Sequence, residues 1–160
     1  MQYQITPITE PDAYTVLGWQ YSGPYAVYNA DETTRELEVD WLTNAATDYH
    51  VAHNKAGELI GFFCFGEDAQ ISGGDYTTEA LDVGIGMAPE LMGQGQGTNF
   101  LKAILEFARR EFAPRFFRAT IATFNQRSQR TFAKAGFRDT QTFVSKDEQP
   151  LEFVVMTCMA

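Results

Sequence analysis

The chain has 160 residues, 44% of them hydrophobic, enough for one globular core of ordinary size. Twenty-one acidic residues against twelve basic ones give a formal charge of −9, which argues against nucleic acid as the main partner because phosphate binding needs clustered Lys and Arg. No apolar run approaches the roughly 18 residues of a membrane span, so a membrane is not expected as a partner either.

The first ten residues, MQYQITPITE, have neither a basic n-region nor an apolar h-region, so no secretory signal is expected and a cytoplasmic location is. Tyr3–Ile8 reads as a short strand, with Pro7 marking an edge. Pro11–Gln20 and Asp31–Ala45 read as helices. In the second, Asp31 is a candidate N-cap, and Leu37, Trp41 and Leu42 recur at helical spacing. Between the two helices, YSGPYAVYN is a turn-rich loop carrying Tyr21, Tyr25 and Tyr28, close to Trp19. Such rings either cover a core or line a wall that holds an aliphatic amine or a cation.

Tyr49–Asn54 and Glu58–Glu67 form a hairpin across Lys55-Ala56-Gly57. His50 and His53 stand three apart, which fits neither one face of a strand nor a helical metal pair, so no metal is expected. Cys64 and Cys158 lie in apolar stretches and read as two buried thiols. Asp68–Glu79 is a loop. The strand ALDVGIGM follows, then APELMGQGQG, then a helix from about Thr98 to Phe112. Phe100, Leu101, Ile104, Leu105 and Ala108 make one apolar stripe on it. Phe116–Phe124 is a strand, and Asn125–Ala135 is a helix stopped by Gly136. Phe137–Val144 and Leu151–Met159 are strands. With no repeat or linker, this order predicts a single α/β domain over residues 1–160, a mixed sheet with helices on both faces.

Gly93, Gly95 and Gly97 fall within five residues, between a strand and a helix. Glycine there permits positive φ and close approach of a ligand to the main chain. The free N–H groups and dipole of the first helical turn point into the same loop, so the segment suits a phosphate or pyrophosphate. A P-loop needs Gly-Lys-Ser/Thr, and there is no lysine here. The spacing is also wrong for the G-x-G-x-x-G dinucleotide fingerprint, and the βαβ context is missing.

The segment VGIGMAPELMGQGQGTNFLKAIL resembles the cofactor-binding block of the GNAT N-acetyltransferase superfamily, with Gly95 and Gly97 at the two motif glycines. Met92 stands where that family usually has Arg or Gln. A second block, NQRSQRTFAKAGF, is similar to the family's Asn-x-x-Ala/Ser followed by Tyr-x-Lys-x-Gly-Phe; Asn125, Ser128, Lys134, Gly136 and Phe137 fit. Within the superfamily the look is closest to the branch that includes ribosomal-protein N-acetyltransferases.

The resemblance implies a splayed sheet of about seven strands and acetyl-CoA as co-substrate, with direct transfer of the acetyl group to a primary amine. It places pantetheine along main-chain groups of Ile85 and Met87, and an oxyanion donor at the Gly86 or Met87 N–H. Pyrophosphate falls to Met92, Gly93, Gln94, Gly95, Gln96, Gly97 and Thr98, with Asn125 and Ser128 nearby. Glycine at Gly84 and Gly86 then reads as room for the pantetheine arm or as a bulge. Tyr25 and Tyr28 become candidate acceptor-site residues. Asp82, on the same strand face as Gly84, becomes the candidate base, with a solvated acidic residue as the plain alternative. The family's tyrosine acid is replaced by Phe132, so the departing thiolate has no assigned proton donor.

A protein N-terminus and small-molecule amines both remain open as acceptors, and the acidic balance favours cationic ones. Many relatives are homodimers. The competing function is a non-catalytic acyl-CoA-binding regulatory module.

Overall fold

The computed structural model describes residues 3–160. In chain order the elements are β1 (Tyr3–Pro7), α1 (Glu10–Leu17), α2 (Arg35–Thr43), β2 (His50–Asn54) and β3 (Leu59–Phe65), then β4 (Leu81–Met87) and α3 (Gly97–Phe112). β5 (Phe116–Ala122), α4 (Gln126–Lys134), β6 (Arg138–Val144) and β7 (Glu152–Met159) complete the chain. This is the order expected from the sequence.

The boundaries that moved have local causes. α1 begins earlier than Pro11 because Thr9 caps it: the Thr9 hydroxyl accepts from the Asp12 N–H, and the Asp12 carboxylate accepts from the Thr9 N–H, a complete capping box. Asp31 is a cap as expected, but of a 3₁₀ turn over Glu32–Thr34 that leads into α2. The apolar reading of α2 is corrected. Val39 and Leu42 are buried, whereas Leu37 and Trp41 are 71% and 55% exposed, so their four-residue spacing marks an outer face. Cys64 is buried, but Cys158 is only half-buried.

The strands run in the order β1-β2-β3-β4-β5-β7-β6, a mixed seven-stranded sheet with four α-helices. β4 and β5 are parallel, and their register covers only Leu81↔Phe117 and Asp82↔Arg118. β1–β2, β2–β3, β5–β7 and β6–β7 are antiparallel. By internal contacts the chain forms two compact units, one of residues up to Cys64 with Ile85–Gln94, the other of Phe65–Gly84 with Gly95–Ala160. β4 starts in the second unit and ends in the first.

The first unit is built on Ile8, Ala13, Val39, Leu42 and Val51, with Leu17, Leu59 and Phe62 packed against them. The second buries the whole predicted stripe of α3 together with Phe117, Phe132 and Phe137. Phe132 meets Phe137 edge-on at 4.9 Å between ring centroids, a favoured aromatic geometry. Among the described residues, no helix is long and apolar enough to cross a membrane.

Candidate active site

The glycine-rich segment after β4 is built in two steps. Pro89–Leu91 makes one 3₁₀ turn, and the Gln94 amide donates to the Glu90 carbonyl at 2.8 Å. Gly93 and Gly95 then both take φ of 77°, the left-handed region that costs a side-chain-bearing residue about 1–2 kcal/mol. A Cβ at Gly95 would touch nothing, so conformation alone demands the glycine. Gly97 has a different reason. Its Cβ would lie 3.3 Å from the Thr131 hydroxyl, so this glycine lets α3 and α4 approach.

α3 is sixteen residues long, and Gln96 at its N-cap makes no side-chain cap bond. The N–H groups of its first turn are therefore left to the loop side, with the positive end of the dipole behind them. Gly93, Gln94 and Gly95 are exposed; Met92, Gln96, Gly97 and Thr98 are half-buried.

At the end of β4, Ile85, Gly86 and Met87 are all half-buried. The Met87 carbonyl accepts from the Tyr21 hydroxyl at 2.7 Å, and the Ala88 N–H donates to the Ile60 carbonyl at 2.9 Å. The reading of Gly86 as ligand room is corrected. A Cβ there would run into the edge of the Phe62 ring, so the missing side chain makes room for Phe62. Trp19 packs against that ring at a tilt, 6.1 Å away between centroids.

At the start of the strand, Asp82 is 3% exposed and Arg118 on β5 is 4% exposed. Arg118 Nε donates to Asp82 Oδ1 at 2.6 Å and Nη2 to Oδ2 at 2.8 Å, a bidentate ion pair. Gln70 Nε2 adds a third bond to Oδ2 at 2.9 Å. The third guanidinium nitrogen, Nη1, donates to the Thr78 carbonyl, and the guanidinium carbon lies 4.9 Å from the Tyr76 ring centre. Hydrogen bonding to Asp82 holds Arg118 above even its usual high pKa.

Both earlier readings of Asp82 are corrected by this arrangement. The residue is not solvated, and it is not a free base. Each oxygen already accepts from a fixed cation, and protonating it would leave a buried guanidinium unpaired.

The acetyltransferase (GNAT) domain family model matches residues 4–138 of the chain. The chain belongs to the GNAT acetyltransferase family. It is accordingly an enzyme of acyl transfer to amines. Among solved structures, the fold is similar to a GNAT-family acetyltransferase from Bacillus anthracis at 15% identity and a TM-score of 0.77, covering 99% of this chain and 95% of that one. It is also similar to a chimera of the Vibrio cholerae spermidine N-acetyltransferase SpeG with hSSAT, at 16% identity and a TM-score of 0.75, covering 99% and 96%. No curated protein sequence matches the chain.

In this GNAT domain the second motif block spans α4 from its N-cap to the residue before β6. Asn125 is the N-cap of α4 and accepts from the Ser128 N–H at 3.1 Å. Gln129 braces the same corner by donating to the Thr123 carbonyl at 2.9 Å. Phe132 points into the core and cannot exchange a proton. Tyr25 and Tyr28 sit on a 3₁₀ turn over Gly23–Tyr28, with ring centroids 6.5 Å apart; Tyr28 is exposed and Tyr25 half-buried.

Sequence reasoning named Tyr21 only as one ring of the tyrosine-rich loop and passed over Phe62 and Arg118. Arg118 carried a usable signal: a lone cation inside the apolar strand FFRATIA needs a buried anion. Nothing in the spacing of the three tyrosines singles out the hydroxyl that reaches Met87. Among the described residues no cluster of His, Cys, Asp and Glu suited to a metal is found.

Proposed function

We propose that residues 1–160 form one cytoplasmic N-acetyltransferase domain that moves the acetyl group of acetyl-CoA directly to a primary amine. One observation carries the reading: a strand end held by hydrogen bonds runs through a two-glycine left-handed loop into the uncapped N-terminus of a sixteen-residue helix. That order supports a ligand with a chain-like arm along Ile85–Met87 and a pyrophosphate over Met92–Thr98. Asn125 and Ser128 lie at the next helix start and complete the proposed cofactor contacts.

The reaction needs a neutral amine, whose nitrogen attacks the thioester carbon while the C–S bond breaks and the thiolate takes a proton. A lysine-type amine, with a pKa of about 10.4, is neutral in only about one molecule in 2,500 at pH 7. Its proton has to leave by another route than Asp82, which is committed to Arg118. A peptide α-amino group, with a pKa near 8, asks far less.

The charge of −9 and the spermidine acetyltransferase among the similar folds favour a cationic acceptor, held against Tyr25 and Tyr28. A thiol-release assay with a polyamine, an aminoglycoside and a peptide with a free N-terminus tests this choice. The polyamine is expected to turn over fastest, and preference for the peptide would move the acceptor class to protein N-termini. Acetyl-CoA binding without turnover on any amine would favour the second reading, a regulatory acyl-CoA-binding module. Phe132 and Met92, two apolar residues at positions where the family is usually polar, motivate that alternative.

A further inference from the structure

The loop between α1 and α2 meets β4 directly at Met87 and, through Phe62 of β3, beside Gly86. Trp19 packs on Phe62, whose ring occupies the space beside Gly86, and two residues later the Tyr21 hydroxyl donates to the Met87 carbonyl. Trp19 thus reaches the Gly86 position only through Phe62 of β3, whereas Tyr21 reaches Met87 directly. The Met87–Ala88 peptide is gripped at both polar ends, its carbonyl by Tyr21 and its N–H by the Ile60 carbonyl. It cannot rotate without giving up two hydrogen bonds.

Tyr21 is itself held in place. The Asn29 side chain accepts from the Tyr21 N–H at 2.7 Å and donates to the Tyr21 carbonyl at 3.2 Å, so one amide clasps both backbone groups and closes the loop. The intervening turn carries Tyr25 and Tyr28, and the Tyr28 ring stands edge-on to Tyr21 at 6.4 Å. The Tyr21 hydroxyl is therefore a polar connection between loop and strand end.

We propose that Tyr21 is a positioning residue for acetyl transfer: its hydroxyl fixes the backbone at the end of β4 and holds the tyrosine-bearing loop in register with it. This rests on the acetyltransferase reading given above. A role as the acid that protonates the leaving thiolate is disfavoured by chemistry. The hydroxyl's proton is already engaged by Met87, and burial, with Glu90 nearby, pushes its pKa to about 12. Against a thiol of ordinary pKa near 8.5, that transfer runs uphill by roughly three thousand-fold.

Tyr21→Phe removes one oxygen and keeps the ring. The variant is expected to lose roughly tenfold in kcat with a polyamine, the scale of one net hydrogen bond, with a smaller loss of acetyl-CoA affinity. Amide hydrogen exchange, which needs no substrate, is expected to quicken at Ala88 and across Tyr25–Tyr28. Asn29→Ala, which leaves the hydroxyl in place, is expected to move both readouts in the same direction, and the double variant to be no worse than Tyr21→Phe alone. If Tyr21→Phe does not fold, Asn29→Ala alone carries the test.

Unchanged exchange at Ala88 and the loop overturns the latch. Faster exchange with kcat and amine KM within twofold of wild type overturns the link to catalysis. A wild-type protein that neither binds acetyl-CoA nor releases thiol overturns the transfer reading and the catalytic role with it; the exchange arm still decides whether the latch exists.

Discussion

The two ends of β4 are fixed by opposite means. At Asp82 the strand is held by full charges, a bidentate carboxylate–guanidinium pair almost sealed from water and ringed by Gln70, Thr78 and Tyr76. At Met87 it is held by neutral groups, a tyrosine hydroxyl, a backbone carbonyl and the Phe62 ring, in half-buried surroundings. A buried ion pair fails badly when one member is lost, because the other is left charged and desolvated. A neutral hydrogen bond fails mildly. The charged end therefore suits a structural anchor, whereas the neutral end suits a site that must admit a ligand.

Arg118→Met strikes the charged end. It orphans Asp82 and is expected to cost about 3–5 kcal/mol in denaturant unfolding, with most of the loss recovered when Asp82→Leu is added. A single variant within 1 kcal/mol of wild type would mean that charge is not what holds that end.

Gly86→Ala probes the neutral end. It forces a methyl against Phe62 and is expected to cost about 1–3 kcal/mol, relieved by Phe62→Leu. No rescue by the smaller ring partner would show that the backbone rather than the ring is the obstacle. Asn125→Ala, away from both ends, removes the α4 cap and is expected to cost about 1 kcal/mol. A loss of acetyl-CoA affinity much larger than that stability change would assign Asn125 to the ligand as well.

One effect appears only in alkali. The Tyr21 pKa is raised from 10.0 to about 12, so the protonated hydroxyl stabilises the fold. That contribution is complete below pH 10 and is lost as pH climbs toward 12. Stability of wild type relative to Tyr21→Phe should therefore narrow over that interval and stay constant below it. A constant difference throughout would mean that the hydroxyl is not buried as described.

Element order, the α3 stripe and both motif blocks were legible in the sequence because they rest on local signals: periodicity, turn residues and short motifs. The glycine loop was legible in place but only partly in cause. Gly93 and Gly95 serve conformation, while Gly97 and Gly86 serve Thr131 and Phe62, neighbours that only the fold supplies. Asp82 was misread for the same reason. Its partner Arg118 lies 36 residues away, and strand alternation says which face a side chain takes without saying what waits there. Leu37 and Trp41 show the limit of periodicity, since a four-residue spacing marks one face of a helix but not which face is covered.

For this chain to work as proposed, the loop after β4 must receive the pyrophosphate of acetyl-CoA. Calorimetric titration of the wild type and Gly95→Asp with acetyl-CoA, with ATP and NAD as controls, tests it most directly. The wild type is expected to bind acetyl-CoA in preference to both controls. Gly95→Asp puts a side chain in a left-handed position and a negative charge in the cradle, and is expected to weaken acetyl-CoA binding on the order of 100-fold. Equal affinity in the variant would put the pyrophosphate elsewhere, and a wild type that ignores acetyl-CoA would contradict the account.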